Sequence, residues 1–297
     1  MKILVTGSNG LLGQKLIGLL SQDKGIELIA TARKKLAFPL IKGKFFPLDI
    51  TNSENTESVI LKTKPDVVIN TAAMTQVDQC ETEQEACWKN NVLAVENVVK
   101  TCEKSGSHLI HISTDFIFDG TFGPLDESAV PNPISFYGKS KLAGEEIVKQ
   151  SKLHWAILRT VLVFGVTKDM SRSNIVLWVK KSLEEGKVIN VVNDQWRTPT
   201  LAEDLAMGCY LAAVKKAKGI YNISGYEMMT PYDIAIKTAE YFGLDKSLIN
   251  QTDSTKFKQP AARPPKTGFI IDKAKRELGY APSSFNDGLK VIASQIR

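Results

Sequence analysis

The chain runs from an apolar, strand-like stretch, Lys2-Ile-Leu-Val-Thr6, into Gly7-Ser-Asn-Gly-Leu-Leu-Gly13 and on to Leu20. Three glycines spaced three apart thus separate a strand pattern from a helical one. Glycine is disfavoured in helices by about 1 kcal/mol relative to alanine, so its recurrence here calls for bare backbone. Gly7 would make the tight turn, Gly10 would let an anion approach the main chain, and Gly13 would let the helix pack closely on the strand. A helix N-terminus leaves N–H groups unpaired and carries partial positive charge, which suits a pyrophosphate. A turn of this kind between strand and helix predicts a dinucleotide site, with Asn9, Leu11 and Leu12 completing its wall.

The rest of the first half repeats the alternation. Strand-like runs recur at Glu27–Thr31, Lys44–Leu48, Pro65–Asn70, His108–Ser113 and Trp155–Arg159, and Glu81–Cys102 reads as one long helix. Strands that are apolar throughout and separated by helices form parallel sheets covered on both faces. The expectation is an α/β, doubly wound parallel sheet with a smaller, mainly C-terminal substrate-binding region. We place a dinucleotide-binding domain at residues 1–165, its sheet completed by parts of 187–222, where Val188–Asn193 and Gly219–Ile223 are strand-like. Residues 166–297 would be mainly substrate-binding and interleaved with it. Pro260, Pro264 and Pro265 predict an extended segment near the C-terminus.

Composition narrows the classes. The 297 residues carry a net charge of +6, with lysines spread out rather than blocked, which speaks against nucleic acid as partner. The four cysteines make no C-x-x-C and there are three histidines, so no metal site is expected. No apolar run approaches the ~20 residues of a membrane span, and no charged leader with a cleavage site precedes the first strand. A cytoplasmic protein with free thiols and no membrane partner is expected, with a homodimer as the plain assumption about assembly.

The cofactor is read after the second strand. An acid there would hydrogen-bond a ribose 2′-hydroxyl. This chain has Thr31-Ala-Arg-Lys-Lys35 instead, and Arg33 and Lys34 suit a 2′-phosphate. NADPH is therefore expected, with NADH also open. Asp49 and Ile50 follow the third strand, where an adenine would lie. Thr71, Ala72 and Ala73 follow the fourth and would line the cofactor.

Ser135-Phe-Tyr-Gly-Lys-Ser-Lys141 sets Tyr137 and Lys141 four apart, on one helix face. A nearby ammonium favours phenolate and eases proton exchange with a substrate oxygen. Ser113 and Thr114 end the fifth strand, the edge where open α/β sheets hold ligands. Glycine turn, strand-end threonine and Tyr–Lys pair, in that order, resemble the extended short-chain dehydrogenase/reductase superfamily. The resemblance implies that Thr114, Tyr137 and Lys141 form a catalytic set, with Lys141 also holding the nicotinamide ribose.

Further stretches resemble one family within it, the dTDP-4-dehydrorhamnose reductases, over nearly the whole chain. They are Asn70–Asp78 continuing to Glu81, Asn91, Ser113–Gly120, Leu158–Thr160 leading to Phe164-Gly165, Asp194–Thr200, Asp204–Ala206 and Ala262–Pro264. The resemblance implies reduction of the C4 ketone of a nucleotide-linked 6-deoxyhexose, with Asn91 and Ser113 beside the cofactor. It also implies Thr75, Val77, Asp115, Asn174, Trp196 and Arg263 near the sugar nucleotide. Three features depart from the pattern. Arg197 stands where a glycine is expected, Phe116 replaces a tyrosine, and Val166–Ser173 carries few family residues. The acid that a 4,6-dehydratase needs after Thr114-Asp115 is missing, while an epimerase or a non-catalytic NADP-binding regulatory subunit remains an alternative.

Overall fold

In the computed structural model, residues 1–168 and 173–296 are described; residues 169–172, inside the divergent Val166–Ser173 stretch, lie outside that set. The main sheet holds β1 (Lys2–Thr6), β2 (Glu27–Ala32), β3 (Lys44–Pro47), β4 (Val67–Asn70), β5 (His108–Thr114) and β6 (Trp155–Thr160). A further strand, Gly219–Asn222, completes the seven. All neighbours are parallel. Read from the edge, the order is the Gly219–Asn222 strand, β6, β5, β4, β1, β2, β3. The chain reverses its direction of spread between β1 and β4, the switch point where ligands settle in such sheets.

Alternation along the strands sends side chains to opposite faces. Ile3 and Val5 join one core with Leu16, Ile17 and Leu20 of α1 (Leu11–Leu20). Leu4 joins the other, with Val59 and Ile60 of α2 (Ser53–Thr63). The buried positions Gly13, Leu16, Ile17 and Leu20 fall at the three- and four-residue spacing of one helix face.

Two expectations need correcting. The predicted helix over Glu81–Cys102 is broken into α3 (Val77–Thr82), α4 (Gln84–Trp88), a π-helical turn (Lys89–Leu93) and α5 (Ala94–Ser105). Glu83 leaves helical geometry at φ −119°, ψ 58°, and the wider turn directs Asn91 inward. Val188–Asn193 also does not complete the main sheet. Its core, β7 (Ile189–Val192), pairs with β8 (Ile249–Thr252) in a separate two-stranded parallel sheet. The reason is burial: Ile189 and Val191 face Val179, Leu183, Ala235 and Ala239, while Asn190 is exposed. A one-sided strand does not belong in a sheet covered on both faces, where all of Val67–Asn70 is buried.

Candidate active site

The parallel strands end on one edge of the sheet. Register pairs Thr6 with Asn70 and Asn70 with His111, so β5 extends beyond both to Thr114. The glycine turn lies beside these ends. Gly7 has φ +67°, and a Cβ there would meet Ala72 and Thr71 at 3.0 Å. The Thr71 hydroxyl donates to Thr6 O at 2.6 Å. At Gly13 a Cβ would stand 2.3 Å from Gly7 O, so only glycine permits this packing of helix on turn. Gly10 begins α1 with no side-chain cap and no acid in the first turn. The Leu11, Leu12 and Gly13 end of the helix thus suits an anion.

Asn9 has a part inside the protein. Its amide donates to Lys35 O and its carbonyl oxygen accepts from Ala37 N, both at 3.0 Å. It ties the glycine turn to the loop carrying Arg33 and Lys34, which are exposed. Asp49 accepts from Thr51 N and Oγ1, and Ile50 is buried with its carbonyl taken by Asn97. Ala73 is half-buried at the mouth of β4.

Tyr137 reaches Thr114 because two backbones touch. The helix α6 (Phe136–Gln150) is capped by Ser135, which accepts from Gly138 N at 3.2 Å. A Cβ at Gly138 would come within 2.1 Å of Phe116 O. The bare Gly138 therefore brings the first turn of α6 against the turn after β5. There the Tyr137 phenol lies near the Thr114 hydroxyl, and the Tyr137 ring stands edge-on to Phe116, centroids 5.6 Å apart. Burial pushes the Tyr137 hydroxyl well above the usual phenol range, and the Asp115 carboxylate adds to the push. Lys141 is buried and donates to Ile112 O at 2.7 Å. Burial brings its ammonium down to about 8. The expected lowering of Tyr137 by Lys141 is not found: burial dominates and raises the phenol.

Asn91, from the π-helical turn, spends its amide on the protein. It accepts from Met74 N at 2.8 Å and donates to Met74 O and the Ser140 hydroxyl. It braces the loop after β4 against α6. Ser113 is buried on β5, in register with Arg159 of β6. Val77, Cys80, Cys87, Tyr137 and Ala261 share one apolar cluster, while Thr75 is exposed at its edge.

The C-terminal segment crosses this cluster. Arg263 holds Asp78 with both arms, at 2.8 and 2.6 Å, and Ala261 N also donates to Asp78. Trp196 is 40% exposed and pairs its backbone with the segment around Lys266. Asn174 stands apart from Tyr137. It caps α7 (Ile175–Glu184) and donates to Gly165 O at 2.7 Å, on the side where Gly165 meets Leu11. Asp115 is 1% exposed and is engaged inside the protein, accepting from Thr114 and from Thr267. The sequence reading overlooks Asp78 and Thr267 as partners. The first lies within a quoted motif, whereas the second carries no local signal.

The arrangement joins a helix N-terminus open to an anion, a buried phenol, a buried amine and a strand-end hydroxyl. Such a set is chemically suited to proton transfer to an oxygen beside a dinucleotide. Among the described residues no helix is long and apolar enough to cross a membrane, and no cluster of metal-ligating side chains occurs.

Comparison with known proteins gives these features a family. Residues 1–297 match the RmlD substrate binding domain. A relative in Haloferax volcanii, the probable low-salt glycan biosynthesis reductase Agl14, is 31% identical over 98% of this chain and 97% of its own. The bovine methionine adenosyltransferase 2 subunit beta is 32% identical over 85% of this chain and 76% of its own. The crystal structure of a dTDP-4-dehydrorhamnose reductase from Clostridium acetobutylicum aligns with TM-score 0.89 and 30% identity, covering 100% of this chain and 99% of that one. A dTDP-4-dehydrorhamnose reductase from Bacillus anthracis in complex with NADP aligns with TM-score 0.88 and 28% identity, with the same coverage.

Proposed function

The chain belongs to the RmlD substrate binding domain family, and from that premise we propose that it is an NADPH-dependent reductase of the C4 ketone of a nucleotide-linked 6-deoxyhexose. The substrate that best fits is dTDP-4-dehydrorhamnose, giving dTDP-L-rhamnose. The observation that carries the reading is the meeting of Tyr137 with Thr114 at the strand edge beside the glycine turn. The uncapped α1 terminus and the glycine cradle fit a pyrophosphate, and Arg33 with Lys34 fits a 2′-phosphate. NADPH, when bound, supplies the hydride.

The residues supply the rest. Tyr137 donates its proton to the oxygen of the ketone as that oxygen gains charge. Burial makes the phenol a weak acid in the free protein, so at neutral pH it is held protonated and ready to donate. Lys141, anchored by Ile112 O, would hold the nicotinamide ribose. Thr114 orients the carbonyl. Val77, Trp196 and Arg263 border the space for the sugar nucleotide, and the Arg263 fork matches a diphosphate as it now matches Asp78.

The test is turnover of NADPH with a panel of nucleotide 4-keto sugars, followed by the absorbance of the reduced nicotinamide. Tyr137→Phe should lower kcat by about 10²- to 10⁴-fold, the usual share of a general acid, with NADPH affinity nearly unchanged. A Tyr137→Phe protein of full activity refutes the assignment. A second reading rests on the likeness to the methionine adenosyltransferase 2 subunit beta: a regulatory subunit that binds NADP and a partner enzyme. Absence of NADPH consumption with every sugar in the panel favours it.

A further inference from the structure

Arg197 stands where the family resemblance leads one to expect glycine, and the structure gives its guanidinium five partners, one of them Pro265 O at 3.5 Å from Nη1. Its Nη2 donates to Pro264 O at 2.6 Å and its Nη1 to Trp196 O at 2.8 Å. Its Nε lies 3.5 Å from Asp115 Oδ2. The guanidinium carbon lies 5.9 Å from the centre of the Phe116 ring. The residue is 4% exposed, and Asp115 is 1% exposed. Both charges are thus removed from bulk solvent.

The pair leads to the site in one step. Asp115 Oδ1 accepts the Thr114 hydroxyl proton at 3.1 Å. Its Oδ2 is turned to Thr267 Oγ1, at 2.5 Å, and to Arg197. Thr114 in turn lies near the Tyr137 phenol, whose ring packs edge-on against Phe116, two residues beyond Thr114, as the bare Gly138 backbone allows. A carboxylate so near a phenol makes the phenol hold its proton more tightly, and a guanidinium on the far side of that carboxylate offsets this. Removing one member of a buried pair leaves the other uncompensated.

We propose that Arg197 is a positioning residue of this site: its buried guanidinium balances the Asp115 carboxylate, and the balance sets the pH range over which Tyr137 and Thr114 work. The inference rests on the reductase reading for its kinetic test but not for its spectroscopic one. The other ionisable groups around Tyr137 are Cys80, Glu81 and Cys87 of the α3–α4 region, Glu81 accepting from Phe136 N, then Lys141 of α6 and, beyond Arg197, Arg263 of the C-terminal segment. None of these is altered in the test. Arg197 is set apart from them by acting through Asp115, which itself holds Thr114.

The experiment compares Arg197→Met, Asp115→Asn, the double variant and Arg197→Lys with the unaltered protein. Two quantities are read: the pH profile of NADPH oxidation with a nucleotide 4-keto sugar, and the phenolate absorbance titration of each protein made with a ring-fluorinated tyrosine, whose more acidic phenol brings the buried midpoint into the range of the folded protein, minus that of its Tyr137→Phe counterpart. Arg197→Met should move the Tyr137 midpoint to higher pH by about 1 unit, and Asp115→Asn should move it lower by a similar amount. The double variant should return close to the original midpoint, and Arg197→Lys should keep it. Should Arg197→Met fail to fold, Asp115→Asn and the double variant still give opposite expectations, a shift and its reversal. Unmoved midpoints in the single variants overturn the proposal, as does a double variant no nearer the original than either single. Absence of turnover in the unaltered protein would count against the reductase reading alone, because the absorbance titration needs no substrate.

Discussion

Arg263 grips Asp78 with both arms of its guanidinium while remaining partly open to solvent. Under the proposed reading the substrate diphosphate meets this fork, so Arg263→Ala should raise KM for the nucleotide sugar about tenfold or more, with kcat much less changed. Steady-state kinetics read the difference. An unchanged KM would make Arg263 purely a tie between the C-terminal segment and α3. His108 offers a test of stability away from the site. Burial, with His154 beside it, brings its imidazole down to about 4 from an unfolded value near 6.5. Between those values the unfolded chain binds a proton that the folded one does not. Stability therefore falls as pH drops from about 6.5 to about 4. His108→Phe should flatten that loss, worth on the order of 2 kcal/mol, in urea melts at pH 4.5 and 7.5. Equal slopes for the two proteins would show that His108 does not carry it. At this scale the sequence is legible for residues whose spacing is local, such as Tyr137 with Lys141. It is silent for Asp78 with Arg263 or Asp115 with Thr267, because partners more than 150 positions apart leave no periodicity.

Elements touch here through missing side chains. Gly13 lets α1 close on the turn, and Gly138 lets α6 close on the turn after β5. The two should fail differently. Gly13→Ala sets a methyl 2.3 Å from Gly7 O. It should cost about 2 kcal/mol or more in chemical denaturation and, by opening the turn, weaken NADPH binding. Gly138→Ala displaces α6 and so Tyr137 from Thr114. It should lower kcat by about 100-fold while NADPH affinity, measured by fluorescence, is largely kept. The reverse pattern would mean that the two glycines have exchanged the parts assigned to them. The first of these glycines was readable, since strand, turn and helix follow each other in sequence. The second was readable only as a residue inside Tyr-x-x-x-Lys. The broken helix was not readable, because the apolar spacing of α4 and α5 continues across the π-helical turn, and only the packing of Asn91 against Met74 and Ser140 reveals why the turn is wide.

Over the whole molecule the division at residue 165 meets a core that ignores it. Phe269, Ile271, Ala274, Leu278 and Tyr280 lie in the same apolar cluster as Ile3, Val5 and Leu16, and Gly219–Asn222 supplies an edge strand. We therefore expect residues 1–165 alone to give no cooperative thermal transition, while the full chain melts in one that shifts upward with NADP. A cooperatively folding 1–165 fragment would establish two independent domains. What the sequence determined by itself was the class of the sheet, the place of the dinucleotide turn and the Tyr–Lys pair. Each follows from residues adjacent or one helical turn apart, where covalent geometry leaves little freedom. Tertiary structure alone decided which strand closes the sheet, where the C-terminal segment lies, and that Arg197 faces Asp115. Those outcomes depend on which distant surfaces exclude water together, and burial of that kind is a property of the packed chain rather than of any stretch within it.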